Sequence, residues 1–101
     1  MKLPRIELDD FLIISLAKKY RMKELSLFGS VLRDDFSDKS DIDLLVQFDE
    51  NVELSLFDLF EIREAFEKAF GREVDLIEKA GLRNPYRRDR ILSTAKVVYA
   101  A

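Results

Sequence analysis

Two short apolar runs, one ended and one opened by a polar signature, constrain this chain more than any other feature. The run from Leu25 to Phe28 stops at Gly29-Ser30. Residues 31–40 follow, closing with the polar, turn-rich DDFSDKS of Asp34 to Ser40. Asp41-Ile42-Asp43 then opens a second run, DIDLLVQF, which continues to Phe48. Runs this short, bounded by turn residues, read as strands. Side chains two apart on a strand share a face, so Asp41 and Asp43 stand together while Ile42 turns into the core. Two carboxylates ~4 Å apart repel by about 4 kcal/mol at an effective dielectric near 20. Such a pair is either compensated by a cation or a proton, or is an ordinary solvated strand end. Taken alone, the pair leaves both readings open.

Asp75 poses the same choice. It lies between Val74 and Leu76 in REVDLIE, Arg72 to Glu78, which reads as a third strand. Asp is depleted in strands, and a lone buried carboxylate is costly. If this strand pairs beside the Asp41 strand, Asp75 faces the same cation. Simple alternation, with Glu73 and Asp75 outward and Val74 and Leu76 inward, accounts for it equally. Gly29-Ser30 follows a strand and precedes a short helix expected to start at Val31. Glycine lets a phosphate approach the backbone closely, and a helix start offers free amides. A plain strand-ending turn needs the same two residues.

Composition narrows the chemistry. The chain has no Cys and no His, which excludes disulfides, thiolate nucleophiles, imidazole bases and His-ligated zinc. Acid–base or metal work falls to carboxylates, whose oxygen ligands suit Mg²⁺ or Mn²⁺. The net charge of -3 is the wrong sign for gripping a nucleic-acid backbone, so nucleic acid is not the expected direct substrate. No apolar run reaches the ~18 residues of a membrane span, and MKLPRIELDD lacks a signal-peptide core. The expected location is the cytoplasm. The 101 residues are expected to form one domain, 1–101.

In order, residues 1–8 read as a lead-in. A helix capped by Asp9 or Asp10 runs to about Tyr20, and a strand from Glu24 to Phe28 follows it. After the Asp41 strand, Ser55 and Asp58 have capping-box spacing ahead of a helix ending near Phe70, with Gly71 as its stop. Glu64 and Lys68 are spaced to pair on its outer side. Phe60, Phe66 and Phe70 are expected in the core. Phe57 lies off the main stripe; it too is read as core, with a partner-facing role as the other possibility. Asn84-Pro85 caps a last helix to about Ala95, and Lys96 to Ala100 forms an edge strand. An exposed edge strand leaves pairing between copies of the chain open. The Arg83, Arg87, Arg88, Arg90 cluster suits contact with a nucleotide or an acidic partner, but a solvated helix face is the more ordinary reading. The alternation of helices and strands implies an α+β fold, a small mixed β-sheet flanked by helices.

Gly29-Ser30, residues 31–40 and Asp41-Ile42-Asp43 together resemble the signature of the DNA polymerase beta-like nucleotidyltransferase superfamily. The longer string LFGSVLRDDFSDKSDIDLLVQF, with REVDLIE downstream, resembles its minimal nucleotidyltransferase (MNT) antitoxin branch over roughly Leu8 to Tyr99. The resemblance implies that Asp41 and Asp43 are metal ligands and that Asp75 is the third carboxylate, which also activates the attacking hydroxyl. It implies that Gly29 and Ser30 hold the terminal phosphates of the nucleotide, and that Arg33 reaches a phosphate or braces the loop. Asp34 departs from the pattern, since the family often has Gly there. The implied cofactor is Mg²⁺, two ions, with Mn²⁺ an acceptable substitute.

The implied activity is transfer of AMP from ATP to a hydroxyl. In the minimal branch that hydroxyl is a tyrosine of a HEPN-type helical RNase toxin, and the nucleotidyltransferase acts as its antitoxin. Two other functions compete. One is a non-catalytic nucleotide-binding module that regulates a partner by contact. The other is transfer to a small molecule, for which relatives usually carry an added helical domain.

Overall fold

A computed structural model describes residues 1–101, and its elements begin and end where local chemistry places them. Helix α1, Asp10–Lys19, starts at Asp9, whose carboxylate accepts from the Phe11 and Leu12 amides at 2.9 and 3.3 Å. Lys18 and Lys19 close it, where cations suit the helix dipole. Strand β1 is Met22–Phe28 and strand β2 is Ile42–Phe48. Helix α2, Leu56–Phe70, opens on the expected reciprocal capping box of Ser55 and Asp58 and stops at Gly71, at φ 66°. Strand β3 is Val74–Glu78, helix α3 is Pro85–Thr94, and strand β4 is Lys96–Ala100. Asn84 Oδ1 caps α3 by accepting from the Tyr86 and Arg87 amides.

The four strands form one sheet in the order β3-β2-β1-β4. β1 lies antiparallel to both β2 and β4, while β2 and β3 are parallel. A parallel pair needs a crossover, and α2 supplies it. The fold is therefore α+β with a mixed sheet, as the pattern of elements implies, and β4 lies at an edge as expected.

Alternation along the strands separates the two faces. Ile42, Leu44 and Val46 join Leu25, Leu27, Val74, Ile62 and Phe66 in the main core, beneath α1 and α2. On the opposite face Phe28 and Leu45 meet Leu82 and Ile91 beneath α3, in a smaller cluster. Asp43 and Asp75 sit one residue from Leu44 and Leu76, so they belong to the face that α3 covers in part.

The structure departs from expectation in several places. Residues 1–8 are more than a lead-in: Lys2 and Glu7 form a bridge, and Leu3 and Leu8 are buried. The turn Leu3-Pro4-Arg5-Ile6 folds them back, with the Leu3 amide donating to the Ile6 carbonyl at 2.8 Å. Phe57 and Phe60 are 84% and 50% exposed rather than core. They lie in the first turns of α2, beside edge strand β3, where no further strand exists to pack them. Glu64 and Lys68 do not pair; the ion pair of α2 is Arg63–Glu67, at 3.6 Å. Glu67 is drawn inward because it also accepts from the Val74 amide at 3.1 Å.

Candidate active site

The centre of the site is Asp43. Its Cα is in register with Phe28 on one side and with Asp75 on the other. Neighbours directly across a sheet point to the same face, so Asp43 and Asp75 stand together as pairing of the two strands requires. Asp41 lies immediately ahead of β2, which begins at Ile42 rather than Asp41, and it is exposed. Gly29 approaches Asp43 from the end of β1. Its φ of +77° is in the left-handed region, and a β-carbon built there would overlap Asp43 Oδ2 and lie 3.2 Å from Cγ. Glycine is needed twice, for the turn and for the room it leaves the carboxylate.

The short helix begins earlier and is tighter than expected. It is a single 3₁₀ turn, Gly29–Leu32, closed by the Arg33 amide donating to Ser30 O at 2.9 Å. Any anion there meets turn amides and the Ser30 hydroxyl rather than the dipole of a long helix. Val31 is fully buried and anchors the turn. Arg33 Nε donates to Asp35 Oδ1 at 3.1 Å, so it braces the start of the loop. Asp34 is exposed in that loop.

Arg72 escaped the sequence reading. Its Nη1 donates to the carbonyls of Ser37 and Ser40 at 2.8 and 3.0 Å, and its Nη2 lies 3.6 Å from Asp38. Its guanidinium covers the ring of Phe36 at 4.4 Å, and Phe36 is itself buried at 2% exposure. One side chain beside β3 thus ties down the loop that delivers Asp41 to β2. The only sequence signals are an aromatic residue inside an otherwise polar loop and an Arg opening the third strand segment.

Electrostatics single out the same carboxylate. Burial pushes the Asp43 carboxyl above its ordinary range; Asp75 and Asp41 push it further, against the opposing pull of Arg33 and Arg87. Arg87, on α3, therefore belongs to the neighbourhood of the site rather than to a purely solvated helix face. No three acidic side chains are gathered closely enough to hold an ion as they stand. The backbone nevertheless places Asp43 directly beside Asp75, and Asp41 two residues away on the same strand line. An oxygen-only donor set with surplus negative charge fits a hard divalent cation, and the chain has no His or Cys to recruit a softer one.

The nucleotidyltransferase domain family matches residues 12–98. The chain is 45% identical over 71 residues, 70% of its length and 71% of the relative's, to a protein of Methanocaldococcus jannaschii provisionally named a protein adenylyltransferase. It is 32% identical to a solved structure provisionally described as a minimal nucleotidyltransferase, with a TM-score of 0.71 over 86% of this chain and 85% of that one. The fold is also shared, at 20% identity and a TM-score of 0.66 over 91% of this chain and 70% of that one, with a structure of the tri-AMPylated HEPN toxin of Shewanella oneidensis in complex with its MNT antitoxin. The chain belongs to the nucleotidyltransferase family. Within that family it is 35% identical over 69 residues, 68% of each chain, to the protein adenylyltransferase MntA of Thermococcus cleftensis.

Proposed function

We propose that this protein transfers an adenylyl group from Mg-ATP to a tyrosine hydroxyl of a HEPN-type partner, and that the transfer neutralises that partner as a toxin. The observation that carries the reading is the Gly29–Asp43–Asp75 arrangement. A turn made for close approach abuts a carboxylate that is paired across the sheet with a second one. The adenylyltransferase name of the Methanocaldococcus relative supports the choice of group. The AMPylated toxin in the Shewanella complex supports the class of acceptor.

Asp41, Asp43 and Asp75 would hold the divalent ions, which when bound neutralise the triphosphate and acidify a nearby hydroxyl. Gly29 and Ser30 hold the terminal phosphates on turn amides and a hydroxyl, and Arg33 keeps the turn's exit in place through Asp35. The acceptor oxygen forms a bond to the α-phosphorus as the bond from that phosphorus to the bridging oxygen breaks. Its proton passes to the Asp75 carboxylate, which is exposed to solvent, and pyrophosphate departs. Positioning and electrostatics supply most of such catalysis, so no protein nucleophile is needed.

The alternative reading is a module that regulates its partner by contact without transfer. The exposed Leu56, Phe57 and Phe60 favour it, because an apolar rim of this kind suits a protein surface. One experiment separates the two. The protein is incubated with Mg-ATP and a HEPN-type helical protein as partner, and the intact partner is weighed. A mass gain of one adenylyl group, absent with Asp43→Asn, supports transfer. Full protection by Asp43→Asn with no adduct at any time would establish the contact reading instead.

A further inference from the structure

Helix α3 lies on the same face of the sheet as Asp43 and Asp75. It is pinned there by Ile91, buried against Phe28, Leu45 and Leu82. Arg88 fixes its start, with Nη1 donating to the carbonyls of Lys79 and Leu82 at 3.3 and 3.4 Å. With Ile91 buried and Arg88 engaged, the two exposed arginines Arg87 and Arg90, three apart on one helix, are left beside the site. Arg90 and Arg33 both line a crevice of about 300 Å³ between α3 and the turn at Gly29, floored by Phe28. Arg87 lies about one helical turn ahead of Arg90 on the same side of α3.

We propose that Arg87 and Arg90 form the second wall of a polyphosphate site and grip the β- and γ-phosphates of a nucleoside triphosphate from the side opposite Gly29-Ser30. The inference rests on the adenylyl-transfer reading and assigns it a subsite. The chemistry requires such a wall. A triphosphate entering beside three carboxylates, in a chain of net charge -3, meets repulsion that two metal ions only partly offset. Guanidinium groups supply fixed, planar donor pairs matched to phosphate oxygens. Located on the pyrophosphate side, they also hold the leaving group as it separates from the α-phosphorus. The adenosine and α-phosphate lie outside their reach, so they discriminate ATP from AMP.

Calorimetric titration of the intact protein with Mg-ATP, AMP and Mg-pyrophosphate tests this. Arg90→Gln and Arg87→Gln are each expected to weaken ATP and pyrophosphate about tenfold, the size of one lost charged hydrogen bond, and to change AMP less than about twofold. Both side chains are exposed, so folding is not at stake; a thermal melt confirms it. Lys68→Gln on α2 makes the same charge change on the other face and should leave all three ligands unaffected. Unchanged ATP and pyrophosphate binding in the α3 variants overturns the proposal while leaving adenylyl transfer intact. Equal loss of ATP and AMP overturns it too, because the arginines would then act on the nucleoside or on the fold. If wild type binds pyrophosphate in an Arg90-dependent way but not ATP, the phosphate wall stands and the adenylyl-transfer reading fails.

Discussion

The two faces of the sheet divide the work of the molecule. Beneath α1 and α2, fifteen buried residues form a continuous apolar core that includes Phe66, Ile62 and Leu44. On the other face only four buried apolar residues, Phe28, Leu45, Leu82 and Ile91, hold α3 in place, and much of the rest is left to carboxylates, a glycine turn and arginines. Strand β2 serves both faces: Ile42, Leu44 and Val46 point to one, Asp43 and Leu45 to the other. A single strand with period-two alternation can therefore be a core element and carry a candidate site at once, provided each face has its own support. The consequence is that substitutions one residue apart should fail in different ways.

The largest contrast is expected between Asp43→Asn and its neighbours. With the partner protein as acceptor, transfer should fall about 10³-fold or more, the scale of losing one group that stabilises transition-state charge, while the fold survives. On the opposite face Phe66→Ala should do the reverse. It removes a fully buried ring and should cost about 3–5 kcal/mol, a large part of the ~5–15 kcal/mol that holds such a domain together. Denaturant melts would show this directly. Surviving Phe66→Ala protein should retain ATP binding. If Asp43→Asn unfolds the protein, or Phe66→Ala spares its stability, the division between faces is wrong.

Gly29→Ala sharpens the comparison because it lies at the junction. The positive φ alone should cost about 1 kcal/mol of stability. The new methyl would displace the tip of a side chain, Asp43, rather than backbone, so activity should suffer far more, about 10²-fold. A loss confined to stability would show that the close approach has no functional role. Arg72→Lys is a smaller perturbation. It keeps the charge but loses the fork that grips Ser37 and Ser40. The loop carrying Asp41 should loosen, with about a tenfold loss of transfer and a higher Mg²⁺ requirement. A tenfold loss without any change in Mg²⁺ dependence would separate Arg72 from the positioning of Asp41.

The smallest expected effect is a pH dependence. The folded Asp43 carboxyl titrates above its unfolded value of roughly 3.9. The folded protein thus holds a proton that the unfolded chain has already released, and stability falls as pH rises from that value through the raised one. In the presence of chelator, melting temperature should decline slightly over that interval, and Asp43→Asn should flatten the decline. At pH 7 the variant should melt above wild type, and Mg²⁺ should narrow the difference. A wild-type profile already flat in chelator would mean that the carboxylate is not under strain.

Much of this architecture was legible because it rests on local physics. Ser55 with Asp58, Asn84 with Pro85, and Gly71 mark helix ends by satisfying or releasing backbone groups within a few residues. The strand carrying Asp43 announces itself by composition and length. Less legible were features whose partners are distant in the chain. Leu3 and Leu8 are buried by a turn that polar neighbours disguise, and Phe60 is exposed because β3 has no strand beyond it. Arg72 reaches back across 32 to 35 residues to Ser40 and Ser37, a contact that no pattern in the sequence encodes.

The sequence by itself determined which residues could do the chemistry: with no His and no Cys, and with Gly29-Ser30 followed by Asp41-Ile42-Asp43, only carboxylates and a phosphate-sized turn were on offer. Tertiary structure decided what they amount to. The parallel pairing of β2 with β3 placed Asp75 beside Asp43, and the seat of α3 turned two surface arginines toward the same face. Periodicity and capping are settled within a turn or two of chain, whereas strand order and helix docking are settled by which buried surfaces fit together, and that is a property of the whole chain.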